Sequence, residues 1–351
     1  MGVTKEQVLA VLAEVPAPGG GTLTSRDMVR AMGIEGGAVR FVLEADSPEM
    51  ARLLETQRPE IEARLRALPG VVSVSVATTA QAAAPSLKIG GHPKPQAGPQ
   101  AIPGVARVLA VGSGKGGVGK STVASNLAVA LARAGRKVGL LDADIYGPSQ
   151  PRMMGVNRRP ASPDGKTILP LVAHGVTMMS IGLMLRDGEA VIWRGPMLMG
   201  AMQQMLGQVA WGELDVLIVD LPPGTGDVQM SLAQKVPVTG ALVVSTPQDV
   251  ALIDARRALD MFAKLKVPVV GLIENMSTYI CPNCGHEAHL FGHGGVGAEA
   301  ATLGLPFLGE LPLDLAVRLA GDAGTPIAAG DGPVAEAYAR LAAALVAEGA
   351  A

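Results

Sequence analysis

Ten residues constrain this chain most: Gly112-Ser113-Gly114-Lys115-Gly116-Gly117-Val118-Gly119-Lys120-Ser121. They follow a short β-branched run, Val105–Val111, and open a helical stretch, Ser121–Ala134. Within them Gly114 to Ser121 satisfies G-x-x-x-x-G-K-[ST]. Glycines allow successive backbone N–H groups to turn inwards around phosphate oxygens, where a Cβ would obstruct them. The helix N-terminus adds partial positive charge. Lys120 is expected to reach the β- and γ-phosphates of a nucleotide, and the Ser121 hydroxyl to ligate Mg²⁺. The predicted nucleotide-binding set is Gly114, Lys115, Gly116, Gly117, Val118, Gly119, Lys120, Ser121 and Thr122.

Around this loop, strand-like and helical runs alternate. Lys137–Leu141, Val176–Ile181, Val216–Val219, Ala241–Ser245 and Val267–Ile273 are apolar and short, with helical stretches between them. Continuous apolar strands alternating with helices predict a mostly parallel sheet covered by helices on both faces over residues 105–351. Carboxylates at the carboxyl ends of such strands face the ligand crevice. Asp142 and Asp144 end one strand, and Asp220 ends another. Asp220 fits the carboxylate that holds Mg²⁺ through water, and Asp142 is either a metal ligand or a support behind one. Asp220-Leu221-Pro222-Pro223-Gly224-Thr225-Gly226-Asp227 resembles switch II, the segment that senses the γ-phosphate, and its glycines would let it move on nucleotide exchange.

Residues 1–80 read as a small α+β unit. Thr4-Lys5-Glu6-Gln7 is a capping-box pattern, Ala38–Ala45 is strand-like, Pro48–Leu68 is a charged amphipathic helix, and Val71–Val76 alternates at period two. Residues 81–104 carry Pro85, Pro93, Pro95, Pro99 and Pro103 among Ala, Gly and Gln, which predicts a linker.

Composition narrows the partners. Lys plus Arg is 29 and Asp plus Glu is 31, a net charge of −2. Neither this balance nor 3% aromatic residues suits a nucleic-acid-binding chain. No uninterrupted apolar run reaches the roughly 18 residues of a membrane span. The N-terminus carries no basic leader region, so a cytoplasmic protein without a membrane role is expected. Pro333–Glu348 holds Glu336 and Glu348 against Arg340, which suits a helix closing a core better than one seeking anionic lipid. Met197, Met199, Met202 and Met205 lie on a predicted helix, where core filling is favoured over an adaptable client surface.

Lys115 carries a resemblance. Lys-Gly-Gly-x-Gly-Lys-Ser resembles the deviant Walker A motif of MinD-like and nitrogenase-iron-protein-like ATPases. That resemblance implies that Lys115 reaches across a dimer interface to the partner's nucleotide. It also likens Asp144 to the residue that orients the attacking water, so Lys115, Lys120 and Asp144 form the expected catalytic set.

The chain has two cysteines, Cys281 and Cys284, in C-x-x-C spacing. Two thiolates are half of a tetrahedral thiolate site. Two readings stay open. His286, His289 or His293 completes a zinc site within one chain, or two chains each contribute a pair to one [4Fe–4S] cluster. The second needs a homodimer, which Lys115 asks for independently, and is preferred.

Together these motifs resemble the Mrp/ApbC family of iron–sulfur cluster carrier ATPases over residues 105 to about 330. The P-loop, Asp142 to Ser149, Trp193-Arg194-Gly195-Pro196, Asp220 to Asp227, Thr246-Pro247-Gln248-Asp249, Glu274-Asn275-Met276 and the cysteine pair carry the resemblance, in that order. The N-terminal unit resembles the MIP18-like assembly domain, with Ser47 where relatives often carry a cysteine before the helix proline. The resemblance implies a MinD-like P-loop fold and ATP, Mg²⁺ and a bridging [4Fe–4S] cluster as cofactors. It further implies delivery of that cluster to apoprotein clients, exchange with assembly scaffolds, and Asn275 as the adenine reader. The alternative is a MinD/ParA-like positioning ATPase with a structural zinc site.

Overall fold

The computed structural model describes residues 3–45, 48–80, 98–184 and 195–351. Residues 81–97 of the expected linker, Ser47, Trp193 and Arg194 lie outside the described residues. The chain divides into two compact units, residues 1–88 and 89–351.

In the first unit, α1 (Lys5–Leu12) starts on the capping box, with the Thr4 side chain and the Gln7 side chain each bonded to the other's backbone. β1 (Val29–Glu35) and β2 (Ala38–Ala45) form an antiparallel hairpin about Gly36 and Gly37. Both glycines have positive φ, as a two-residue hairpin turn requires. Sequence patterning did not single out β1, because a register shift between Arg30 and Gly33 breaks its alternation. Helix α2 (Pro48–Arg66) crosses over to β3 (Ser73–Ala80), which pairs parallel to β2. Leu54, Ile61 and Leu65 of α2 pack with Val8 and Leu12 of α1 and with Val39, Phe41 and Leu43 of β2.

The second unit runs β4 (Val108–Gly112), α3 (Lys120–Arg133), β5 (Val138–Asp142), α4 (Gln150–Met153), β6 (Leu171–Ala173), β7 (Val176–Ser180), α5 (Gly195–Gly207), β8 (Val216–Asp220) and α6 (Asp227–Lys235). It continues through β9 (Gly240–Ser245), α7 (Asp249–Lys264), β10 (Val269–Asn275), β11 (Tyr279–Ile280), β12 (Glu287–Ala288), α8 (Gly295–Leu303), β13 (Phe307–Leu311), α9 (Leu315–Asp322) and α10 (Pro333–Ala347). Eight strands form one sheet in the order β13-β10-β9-β4-β8-β5-β7-β6. All its pairings are parallel except β6 with β7 at one edge.

Every residue of β4, β5, β8 and β9 is buried. Alternate residues serve two cores, as period-two geometry demands. Leu109 and Val111 of β4 face the core of α3 and α10, where Tyr338, Leu341 and Leu345 close one side. Val108 and Ala110 face the other core, with Leu198, Met202 and Met205 of α5 and Phe262 of α7. Met202 and Met205 are therefore core fillers, while Met199 is exposed. Strand order reverses at β4, whose neighbours are β8 and β9. The crevice beyond the carboxyl ends of these strands is where such a sheet binds ligand. No helix among the described residues is long and apolar enough to cross a membrane.

Candidate functional site

The phosphate loop spans the gap between β4 and α3. Gly117 and Gly119 have φ of +84° and +82°, left-handed values that glycine adopts at least cost. Gly114 is there for close approach: a Cβ on it would lie 2.0 Å from the backbone carbonyl carbon of Asp254 in α7. The Ser113 hydroxyl donates to the Lys115 carbonyl at 3.0 Å and braces the turn. Lys115 is half-buried and makes no ion pair among the described residues. Ser121 and Thr122 occupy the first turn of α3.

Beneath the loop lies a buried network of acids. Asp142 and Asp220 are partners in the β5–β8 register and are both fully buried. The Lys120 ammonium pairs with Asp220 Oδ1 and donates to the Ser121 hydroxyl at 3.1 Å. Asp220 Oδ2 accepts from Gln150 Nε2 at 2.8 Å, and the same nitrogen donates to the Ser121 carbonyl at 2.9 Å. Asp142 Oδ2 accepts from the Gln150 backbone N–H at 3.1 Å and the Ser180 hydroxyl at 3.0 Å. Burial, then the nearby Asp220 carboxylate, push the Asp142 carboxyl up to about 7. Gln150, absent from the sequence-based set, thus joins all three expected Mg²⁺ residues: Ser121, Asp142 and Asp220.

This donor set fits Mg²⁺. It offers a hydroxyl and two carboxylates, the hard oxygens that ion selects. Gln150 Oε1 is buried with no hydrogen-bond partner, an orphaned acceptor beside the carboxylates that the hydration shell of a cation would satisfy.

Asp144 lies two residues beyond the end of β5. Its Oδ1 accepts from the Gly147 N–H at 3.2 Å, and burial raises its carboxyl above the usual range while Lys120 opposes that shift. Asp144, Tyr146, Pro222, Pro223, Asp227 and Gln229 line a cavity of about 580 Å³ at the sheet's carboxyl edge. Gln229 Nε2 donates to the carbonyls of Pro222 (2.8 Å) and Gly224 (2.9 Å), pinning the Asp220–Asp227 segment from α6.

The cysteines sit on a turn between the two-residue strands β11 and β12. The Cys281 N–H donates to the His286 carbonyl and the Gly285 N–H to the Cys281 carbonyl, both at 2.9 Å. Gly285 has φ of +71°. Hydrogen bonds from the backbone N–H groups of Asn283 and Cys284, and then from the Cys284 side chain, hold the Cys281 thiol below its ordinary value. Both thiols are free, with Cys284 exposed and Cys281 half-buried. His289 Nδ1 lies 3.1 Å from the Ser277 carbonyl, and His293 Nε2 lies 2.9 Å from Glu310 Oε2. No group of three or more His, Cys, Asp or Glu placed to hold a metal ion occurs among the described residues.

At the end of β10, Asn275 Nδ2 donates to the Val118 carbonyl at 2.9 Å, so the side chain expected to read adenine also props the phosphate loop. The preceding Glu274 is fully buried and takes the N–H groups of Gly294 and Val296, each at 2.8 Å.

The family model described as NUBPL iron-transfer P-loop NTPase matches residues 104–346, and that of an iron-sulfur cluster assembly protein matches residues 5–76. The iron-sulfur cluster carrier protein of Pseudomonas fragi is 52% identical over 248 residues, covering 69% of this chain and 86% of that protein. The carrier protein of Synechocystis is 44% identical over 333 residues, covering 93% and 91%. Among solved structures, a nucleotide-binding protein from Archaeoglobus fulgidus in complex with ADP is 40% identical, with TM-score 0.56 over 63% of this chain and 87% of that one. The cell division ATPase MinD of Pyrococcus furiosus, 21% identical with TM-score 0.51 over 69% and 99%, shares the fold.

Proposed function

The chain belongs to the NUBPL iron-transfer P-loop NTPase family, and on that premise we propose that it is an ATP-dependent carrier that holds a [4Fe–4S] cluster between two subunits and hands it to apoproteins. One observation carries the reading. An exposed C-x-x-C turn presents two thiols, and no third ligand accompanies them among the described residues, on a unit built around a nucleotide loop. Four thiolates for a cubane cluster then come from two chains.

The chemistry follows from the residues. Backbone N–H groups of Gly114–Ser121 surround the phosphates, and Lys120 leaves Asp220 for the β- and γ-phosphate oxygens. Ser121, Asp220 and Asp142 would hold the cation, with Gln150 orienting both acids, and Mg²⁺ bound there would neutralise charge that builds on the phosphates. Asp144 holds the attacking water in line. Lys115 of each chain reaches the other chain's nucleotide, adding positive charge as an arginine finger does. Asn275 Oδ1 accepts from the adenine amino group. ATP binding favours one dimer arrangement and hydrolysis another, so the nucleotide gates retention and release of the cluster, which is cargo.

The positioning-ATPase alternative has only the fold in its favour, since the MinD likeness is at 21% identity. The zinc alternative would need His286, His289 or His293 beside the two thiols, and no group of three or more such ligands is assembled among the described residues. The test is transfer of cluster from the reconstituted protein to a [4Fe–4S] apoenzyme with and without MgATP. Nucleotide-dependent recovery of client activity is expected, and recovery indifferent to nucleotide would sink the gating role.

A further inference from the structure

Two adjacent residues at the end of β10 grip two different parts of the molecule. Successive strand side chains point to opposite faces. Asn275 points to the phosphate loop and bonds the Val118 carbonyl. Contact there is close: a Cβ on Gly119 would lie 2.2 Å from Asn275 Nδ2. Glu274 points the other way, and each of its carboxylate oxygens takes one N–H at the start of α8, from Gly294 and Val296. Helix α8 is the element that the cysteine turn runs into.

The other leg of the turn is anchored too. Met276 has φ of +58°, turning the chain sharply out of the strand. Ser277 then donates its N–H and hydroxyl to the Leu311 carbonyl at 3.1 and 3.2 Å, and the Thr278 carbonyl accepts from Leu313 N–H at 2.8 Å. The His289 ring meets the Ser277 carbonyl, joining the two legs. The segment that bears Cys281 and Cys284 thus leaves β10 directly after Glu274 and Asn275, is held to the end of β13 through Leu311 and Leu313, and returns to Glu274 through the start of α8.

We propose that Glu274 is a positioning residue that makes the cysteine turn follow the phosphate loop. The physical reason is the cost of parting. A fully buried carboxylate that loses its donors is left as an uncompensated charge, so the start of α8 moves with Glu274 sooner than away from it. Nucleotide entering the loop shifts Val118 and Gly119, Asn275 shifts with them, and the backbone it shares with Glu274 carries the displacement to both legs of the turn. The inference rests on the carrier reading for its purpose, and its geometry is independent of which metal the thiols hold.

The test uses the metal-free full-length chain and iodoacetamide alkylation of Cys281 and Cys284, read by mass spectrometry. Rates are compared without nucleotide and with Mg²⁺ plus a non-hydrolysable ATP analogue. In the unaltered protein the two rates should differ about fivefold or more, the scale of an allosteric coupling. In Glu274→Gln, which keeps the size and one acceptor oxygen, the rates should become equal while analogue binding is retained. Glu274→Asp, whose carboxylate is one methylene short of both N–H groups, should reduce the difference as well, and serves if the glutamine variant does not fold. A glutamine variant that alkylates faster in both states yet keeps the original ratio would show a merely structural role and overturn the proposal. So would an unaltered protein with no nucleotide response. Cluster reconstitution separates the two ideas: a variant that still responds to nucleotide in a protein that binds cluster removes this inference and leaves the carrier reading standing. A Glu274-dependent response in a protein that takes up no cluster does the reverse.

Discussion

Lys120 and Asp220, a hundred residues apart in sequence, form an ion pair that is shielded from solvent beneath the phosphate loop. The pair keeps Asp220 compensated next to Asp142, and on the proposed function it opens as the ammonium turns to phosphate. Lys120→Ala removes the compensation and leaves two buried carboxylates facing each other. The expected costs are loss of ATP binding by calorimetry and about 3–5 kcal/mol of stability in denaturant titration. Iron loading at the cysteines should persist. A variant that binds ATP normally would show that Lys120 is not the phosphate lysine.

Asp142 supplies a pH signature. Its carboxyl is pushed up to about 7 from an ordinary 3.8, by burial first and the Asp220 charge second. The folded state therefore holds a proton that the unfolded chain releases, so this group's contribution to stability falls as pH rises from about 4 to about 7. In metal-free protein, Asp142→Asn should melt close to the unaltered protein near pH 4 and increasingly above it up to pH 8. Thermal melts at the two pH values check this; a gap that closes with rising pH would reverse the assigned direction.

Gln150 should govern the cation. It links Asp220 Oδ2 and the Ser121 carbonyl through one nitrogen and Asp142 through its backbone. Gln150→Leu removes the side-chain links without adding charge. The Mg²⁺ concentration needed for half-maximal nucleotide binding should rise about 10- to 100-fold, the usual effect of removing a residue that orients metal ligands. An unchanged Mg²⁺ titration would make Gln150 a packing residue only.

Cys281→Ala should abolish cluster uptake while steady-state ATP hydrolysis survives, because the cysteine turn lies on the small β11–β12 hairpin and shares no residue with the phosphate loop. Phosphate release and iron content, measured on one preparation, decide it. Loss of hydrolysis together with cluster would mean that the turn supports the ATPase fold.

Residue patterns made some of this legible and hid the rest for a physical reason. The loop, Asp142, Asp220 and the cysteine pair are readable because their chemistry is local: a strand, a turn and a charge at the strand's end. Gln150 was hidden because its partners stand 29 and 70 residues away and nothing in Gly147-Pro148-Ser149-Gln150 announces burial. Glu274 did carry a signal. It is a lone acid closing the apolar run Val269–Ile273, the same mark that singled out Asp220. Asn275 was assigned to adenine from resemblance, and its bond to the Val118 carbonyl depends on a tertiary approach that spacing does not encode. The parallel sheet was foreseeable from its apolar strands. The antiparallel edge strand β6 and the hairpin β11–β12 are too short, at three and two residues, for any period to register.

The central claim is that two chains complete one cluster, and stoichiometry with mass tests it most directly. After anaerobic reconstitution with iron and sulfide, native mass spectrometry with metal analysis should find a dimer carrying about two iron atoms per chain, the ratio of one [4Fe–4S] unit shared by four cysteines. A colourless monomer holding one zinc ion, or a cluster seated within a single chain, would contradict it.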